Sequence, residues 1–171
     1  MKRNIAVYIF ISSVFALSAW AQQSTGDRRT GATKQAQSAL TESPISGTNA
    51  VIKIVAVRDN AEAASEYEKP GTNKKLIAVQ VIIDNRKSSE DLDVSGMYFK
   101  LKDEEGGVYD VSSSDSSDQP TLKTGSVDAA DLVKGWITFE VSTAIKAGTL
   151  KLRYEFADNK SAWIQLSSVI K

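Results

Sequence analysis

The chain has 171 residues, 42% of them hydrophobic and 25% charged, with 21 basic against 21 acidic side chains and neither histidine nor cysteine. Lacking histidine, it lacks the commonest general base and the commonest transition-metal ligand; lacking cysteine, it has no disulfides, no thiol chemistry and no residue to acylate as a lipoprotein. Zinc, copper and haem sites become improbable, and Lys and Asp/Glu interspersed along the chain, with no basic cluster, argue against a nucleic-acid partner.

Residues 1–21 read as an export signal. Lys2 and Arg3 precede an apolar run from Ile5 to Leu17, and Ala19-Trp20-Ala21 offers small residues for cleavage before Gln22. The run is short for a bilayer, and no later stretch of about 18 apolar residues follows, so no membrane span is expected after cleavage. Losing Lys2 and Arg3 leaves 19 basic against 21 acidic side chains, a net charge of −2. Residues 22–48, rich in Ser, Thr, Gly, Gln and Ala, carry no apolar period and are expected to be a flexible linker. Residues 49–171 then form the folded domain.

Val51–Val57 is β-branched and ends in Arg58-Asp59-Asn60, a strand followed by a turn. Ala61–Lys69 fits a short helical turn, broken by Pro70-Gly71. From Leu76 to Asp84 the period of two puts Ile77, Val79, Val81 and Ile83 on one face. Asp91–Ser95 is a short polar strand. Met97–Lys102 and Val108–Val111 form a hairpin reversed at Gly106-Gly107. Ser112–Gly125, rich in Ser, Asp and Thr, reads as a mobile loop. From Val133, residues Gly135, Ile137, Phe139 and Val141 alternate against Trp136, Thr138 and Glu140. Leu150–Phe156 repeats the alternation, and Asp158-Asn159-Lys160 turns into a last strand at Ala162–Ser167. No amphipathic helix covers a sheet, so two sheets must cover each other. The expected fold is all-β, an immunoglobulin-like antiparallel β-sandwich of about seven or eight strands.

The segments Leu76–Asn85, Phe99–Asp103 with Gly106 and Tyr109, Lys134–Val141 and Leu150–Tyr154, in that order and spacing, resemble a family of exported immunoglobulin-like domains of unknown function. Small secreted mycobacterial antigens share that fold. The resemblance runs from about Ala50 to Ser167, and departs where the family has a Pro-Gly turn before the strand at Lys134 and a Pro after it. Here Ala130-Asp131 and Ser142 stand instead. It implies a binding or accessory module, often tethered at the cell envelope, with no catalytic residues to carry over.

Among the residues themselves, Asp103, Glu104 and Glu105 at the hairpin tip are calcium candidates by chemistry, but their spacing does not match a calcium loop and a solvated turn explains them equally. No other metal and no cofactor is indicated. Paired carboxylates could hydrolyse glycosides without histidine, yet no pair stands out. Trp136 falls on the face opposite Ile137 and Phe139, and an exposed sheet tryptophan suits a sugar ring or an apolar partner patch. Tyr98 and Trp163 share that potential, with cross-strand packing as the competing explanation for all three. The expected function is a secreted or periplasmic, non-enzymatic binding or accessory module whose partner is an envelope protein or glycan. A carbohydrate-binding module using the exposed aromatics is the alternative, and a carboxylate-dependent hydrolase the remote one.

Overall fold

The computed structural model describes residues 42–156 and 160–170. The expected export signal, and the linker before Glu42, lie outside the described residues. Ten strands form: β1 (Glu42–Pro44), β2 (Val51–Ala61), β3 (Lys74–Asp84), β4 (Leu92–Val94), β5 (Phe99–Lys102), β6 (Val108–Asp110), β7 (Gly125–Val127), β8 (Leu132–Ser142), β9 (Lys151–Phe156) and β10 (Lys160–Gln165). Pairing is antiparallel throughout, giving one sheet ordered β1-β2-β3-β8, a second ordered β10-β9-β5-β6, and a small ribbon of β4 with β7. The fold is an immunoglobulin-like sandwich.

The core lies between the two large sheets. Ile77, Val79, Val81 and Ile83 of β3 and Ile137, Phe139 and Val141 of β8 meet Phe99 and Leu101 of β5, Leu152 and Tyr154 of β9, and Ala162 and Ile164 of β10 in one buried cluster. These are the positions that period-two alternation assigns inward. Phe99 and Tyr154 rings lie 5.1 Å apart, tilted by 58°. The buried Tyr154 hydroxyl finds a partner, donating to the Asp93 carbonyl at 3.2 Å, and burial raises its pKa. In β2 the alternation slips at Val55, where a bulge carries the inward face from Ile52 and Ile54 to Val57.

Two strands, β1 and β7, exceed the eight expected. β1 falls inside the segment expected to be linker, so the fold begins by Glu42: Ile45 is fully buried and the Ser46 amide donates to Ser161 of β10 at 3.0 Å. A single apolar side chain among polar ones gives no periodic signal, which is why residues 42–48 read as tether. The expected helical turn contracts to one 3-10 turn at Glu66–Glu68, because β2 continues to Ala61.

A larger correction concerns residues 112–122. Rather than a loose loop, this segment is bonded along the edge of β8 and crosses the outward face of the first sheet to the end of β2. Trp136 donates to the Pro120 carbonyl at 2.9 Å, Leu122 donates to Trp136 at 2.8 Å, and Ser112 donates to Thr138 at 2.9 Å. Ser116 is fully buried, its amide donating to Thr138 Oγ1 at 3.2 Å. Ser117 and Ala64 close the crossing, donating to Glu62 at 2.8 Å and to Asp115 at 3.0 Å. The segment satisfies the exposed edge of β8 and encloses Ala78 and Thr138 on the sheet's second face.

Candidate functional site

Trp136 does lie opposite Ile137 and Phe139, in register with Gln80, but it is only 7% exposed. The strap at Pro120–Leu122 flanks it and the Arg58 guanidinium sits 6.0 Å from its ring centroid. It is a structural side chain rather than a surface platform. Tyr98 is likewise packed, its ring 4.6 Å from Phe156 and 6.2 Å from Tyr154. Alternation assigns a residue to a face without saying what covers that face.

Trp163 alone of the three remains substantially open, at 41% exposure. It stands on the outward face of β10, where the pattern Lys160-Ser161-Ala162-Trp163-Ile164-Gln165 sends Ala162 and Ile164 inward and Ser161, Trp163 and Gln165 outward. The same alternation in Phe99-Lys100-Leu101-Lys102 and Lys151-Leu152-Arg153-Tyr154-Glu155 sends Lys100, Lys102, Lys151, Arg153 and Glu155 to that face. Register then aligns them in rows: Lys102, Lys151 and Gln165 across one, and Asp110, Lys100, Arg153 and Trp163 across the next. A scan along the chain finds no basic cluster, because these cations come from two strands about fifty residues apart. The signal was present in the alternating Lys of β5 and Lys/Arg of β9, but only the pairing of those strands assembles it.

The Arg153 guanidinium lies 4.9 Å from the Trp163 ring centroid and Lys102 Nζ 6.0 Å, close enough for cation–π attraction. Arg153 also bonds Glu155, and Lys100 Nζ is 3.3 Å from Asp110. Beside the tryptophan a concavity of about 480 Å³ is lined by Lys102, Asp103, Glu104, Lys151, Trp163, Ile164 and Gln165. Its combination of aromatic surface, amide and charge suits recognition of a polar ring-bearing ligand.

The hairpin-tip acids do not form a cation cradle. Asp103 accepts from the Gly107 amide at 2.7 Å and from the Tyr109 hydroxyl at 2.7 Å, so each carboxylate oxygen already holds a partner inside the hairpin. The tyrosine bond lowers the Asp103 pKa and raises that of Tyr109. No group of three or more acidic, histidine or cysteine side chains is placed to hold a metal ion among the described residues. Nor is any helix among them long and apolar enough to cross a membrane.

No curated protein matches the chain in sequence. The model of a family described as a domain of unknown function, DUF4352, matches residues 41–162. The chain belongs to that family. Its matched span starts one residue before β1, in agreement with the early start of the sandwich. Among solved structures, ycdA of Bacillus subtilis, described as a lipoprotein candidate, superposes with a TM-score of 0.54 at 22% identity, over 73% of this chain and 38% of its own. The chain thus spans well under half the length of that relative. The secreted protein MPT63 of Mycobacterium tuberculosis gives 0.52 at 10% identity over 69% and 83%, and yjhA of B. subtilis 0.51 at 14% over 71% and 93%. At these identities the likeness is one of fold, and the role of this DUF4352 domain has to be argued from the site.

Proposed function

We propose that the protein is an exported, non-catalytic binding module of the cell envelope, and that it engages its ligand on the outward face of the second sheet, centred on Trp163. The carrying observation is the half-open indole set among Lys102, Lys151 and Arg153 beside a concavity of about 480 Å³. A large aromatic side chain with few rotatable bonds is an economical anchor, and a nearby polar frame orients what it holds. The export-type leader and the likeness to a secreted protein and a lipoprotein candidate support an envelope or extracellular address. Three bonded carboxyls are tuned as ion-paired or turn carboxylates and not as a glycosidic general acid. Asp84, Asp103 and Glu140 are each held below their ordinary range by a bonded partner, whereas a glycosidic general acid must be held above it.

Trp163→Ala tests the reading by co-sedimentation with isolated cell envelope. The parent should pellet, and the variant should stay in the supernatant with an unchanged circular dichroism spectrum and a stability within about 1 kcal/mol of the parent. Tyr67→Ala, removing an aromatic that is 99% exposed on the β2–β3 connection, should pellet like the parent. Equal sedimentation of parent and Trp163→Ala would contradict the proposal.

A further inference from the structure

The central strands of the second sheet carry a charge pattern that folding does not call for. β5 presents Lys100 and Lys102 outward and β9 presents Lys151 and Arg153, with Lys102 directly opposite Lys151 and Lys100 directly opposite Arg153. Neighbouring strands lie about 5 Å apart and alternate residues about 7 Å apart, so the four basic side chains leave the sheet from the corners of a small rectangle. Like charges directly opposite on paired strands are destabilising. Lys100 and Arg153 offset part of this through Asp110 and Glu155; among the described residues no acidic side chain is within 4 Å of Lys102 or Lys151 Nζ. The acids of this face are Asp110 on the edge strand β6 and Glu155 toward the far end of β9, each paired with a cation, and Asp103 and Glu104, which line the concavity together with Lys102 and Lys151; Asp103 already accepts from Gly107 and Tyr109 inside the hairpin.

We infer that the ligand of this face is an acidic polysaccharide, whose anionic groups lie on the Lys100–Lys102–Lys151–Arg153 rectangle while one sugar ring meets Trp163. The inference rests on the binding-surface reading above and names its ligand class. An extended chain fits this open outward face better than a small anion, which needs converging donors in an enclosed pocket. An anionic membrane fits poorly: a flat charged surface would meet all four acids at once, and beyond Trp163 the only large exposed apolar side chain among the described residues of β5, β6, β9 and β10 is Val108. A polymer of separated charges can pass between those acids. Carboxylate-bearing and phosphate-bearing sugars share the chemistry, and the rectangle accepts either.

The test is titration of the exported protein with polygalacturonate, with its fully methyl-esterified form, with a phosphate-bearing polysaccharide (phosphomannan) and with phosphatidylglycerol vesicles. One or both acidic polymers should bind, with an affinity that weakens as salt rises. The methyl ester, which keeps the sugar chain and removes the charge, should bind at least tenfold more weakly, and so should the vesicles. Lys102→Gln with Lys151→Gln should weaken binding at least tenfold while leaving the thermal midpoint unchanged or raised. Binding of neither acidic polymer, equal binding of the methyl ester, or equal binding of the vesicles would overturn the inference. If the double lysine variant binds like the parent while Trp163→Ala releases the envelope, the acidic class falls and the Trp163 surface stands. If neither folded variant loses envelope binding, both fall.

Discussion

Ala130 shows how one residue records a departure from its family. It sits at φ +66° in the turn before β8, at the place where the resemblance implies a Pro-Gly turn. A left-handed backbone is strained for any residue with a Cβ and costs glycine nothing sterically. Ala130→Gly should therefore raise stability by roughly 0.5–1 kcal/mol, net of the extra entropy glycine loses on folding; a lower urea midpoint would contradict this. Asp84, near the same end of the sheet, makes a pH prediction. It accepts from Arg86 Nε at 2.9 Å and Nη2 at 2.7 Å, with Lys53 Nζ at 3.6 Å, and the Arg86 bonds hold its carboxyl well below the usual range. Because the folded pKa is depressed, its stabilisation is complete above the unfolded value and is lost as pH falls below the usual carboxylate range and through the folded value. Asp84→Asn should lower the urea midpoint at neutral pH, and its gap from the parent should narrow steadily in acid. A gap that widens in acid would reverse the assigned sign.

Between elements, the decisive interaction is the strap of residues 112–122 against β8. Gly135 makes the approach feasible: a Cβ there would lie 2.4 Å from Leu122 Cα and 2.5 Å from its amide nitrogen, both backbone atoms that cannot swing aside. Gly135→Ala should destabilise by about 2–4 kcal/mol, the range for overpacking combined with loss of buried hydrogen bonds, and should raise amide exchange across the strap first. Unchanged stability would mean that the strap is dispensable. The strap also marks the limit of sequence reading. Alternation assigned the inward faces of β3, β8, β9 and β10 because a half-buried strand writes its burial into every second residue. Polar segments write nothing comparable: Ser116 is fully buried and Thr138 3% exposed, yet both look like solvent-facing residues. The same limit hid the role of Asn85, whose Nδ2 donates to Glu90, Val127 and Asp128 and so fastens two chain segments to the end of β3.

At the scale of the whole molecule, the two outward faces of the sandwich have different fates. The first sheet's face is crossed by the strap, which takes Trp136 out of contention as a surface anchor. The second sheet's face bears the cation rectangle and Trp163. The candidate site was therefore only half legible: Trp163 could be named from its strand, while its cationic frame required knowing that β5 pairs with β9. Beyond the expected export signal, Trp136 and Trp163 are the only tryptophans of the sequence, and each reports on one face. The most direct measurement is nuclear magnetic resonance of the ¹⁵N-labelled protein titrated with solubilised envelope material, following the Trp136 and Trp163 indole Nε1–H signals. The account predicts that the Trp163 indole and the backbone amides of β5, β9 and β10 shift while the Trp136 indole stays in place. Shifts confined to Trp136 and the first sheet, with the Trp163 face unmoved, would contradict it.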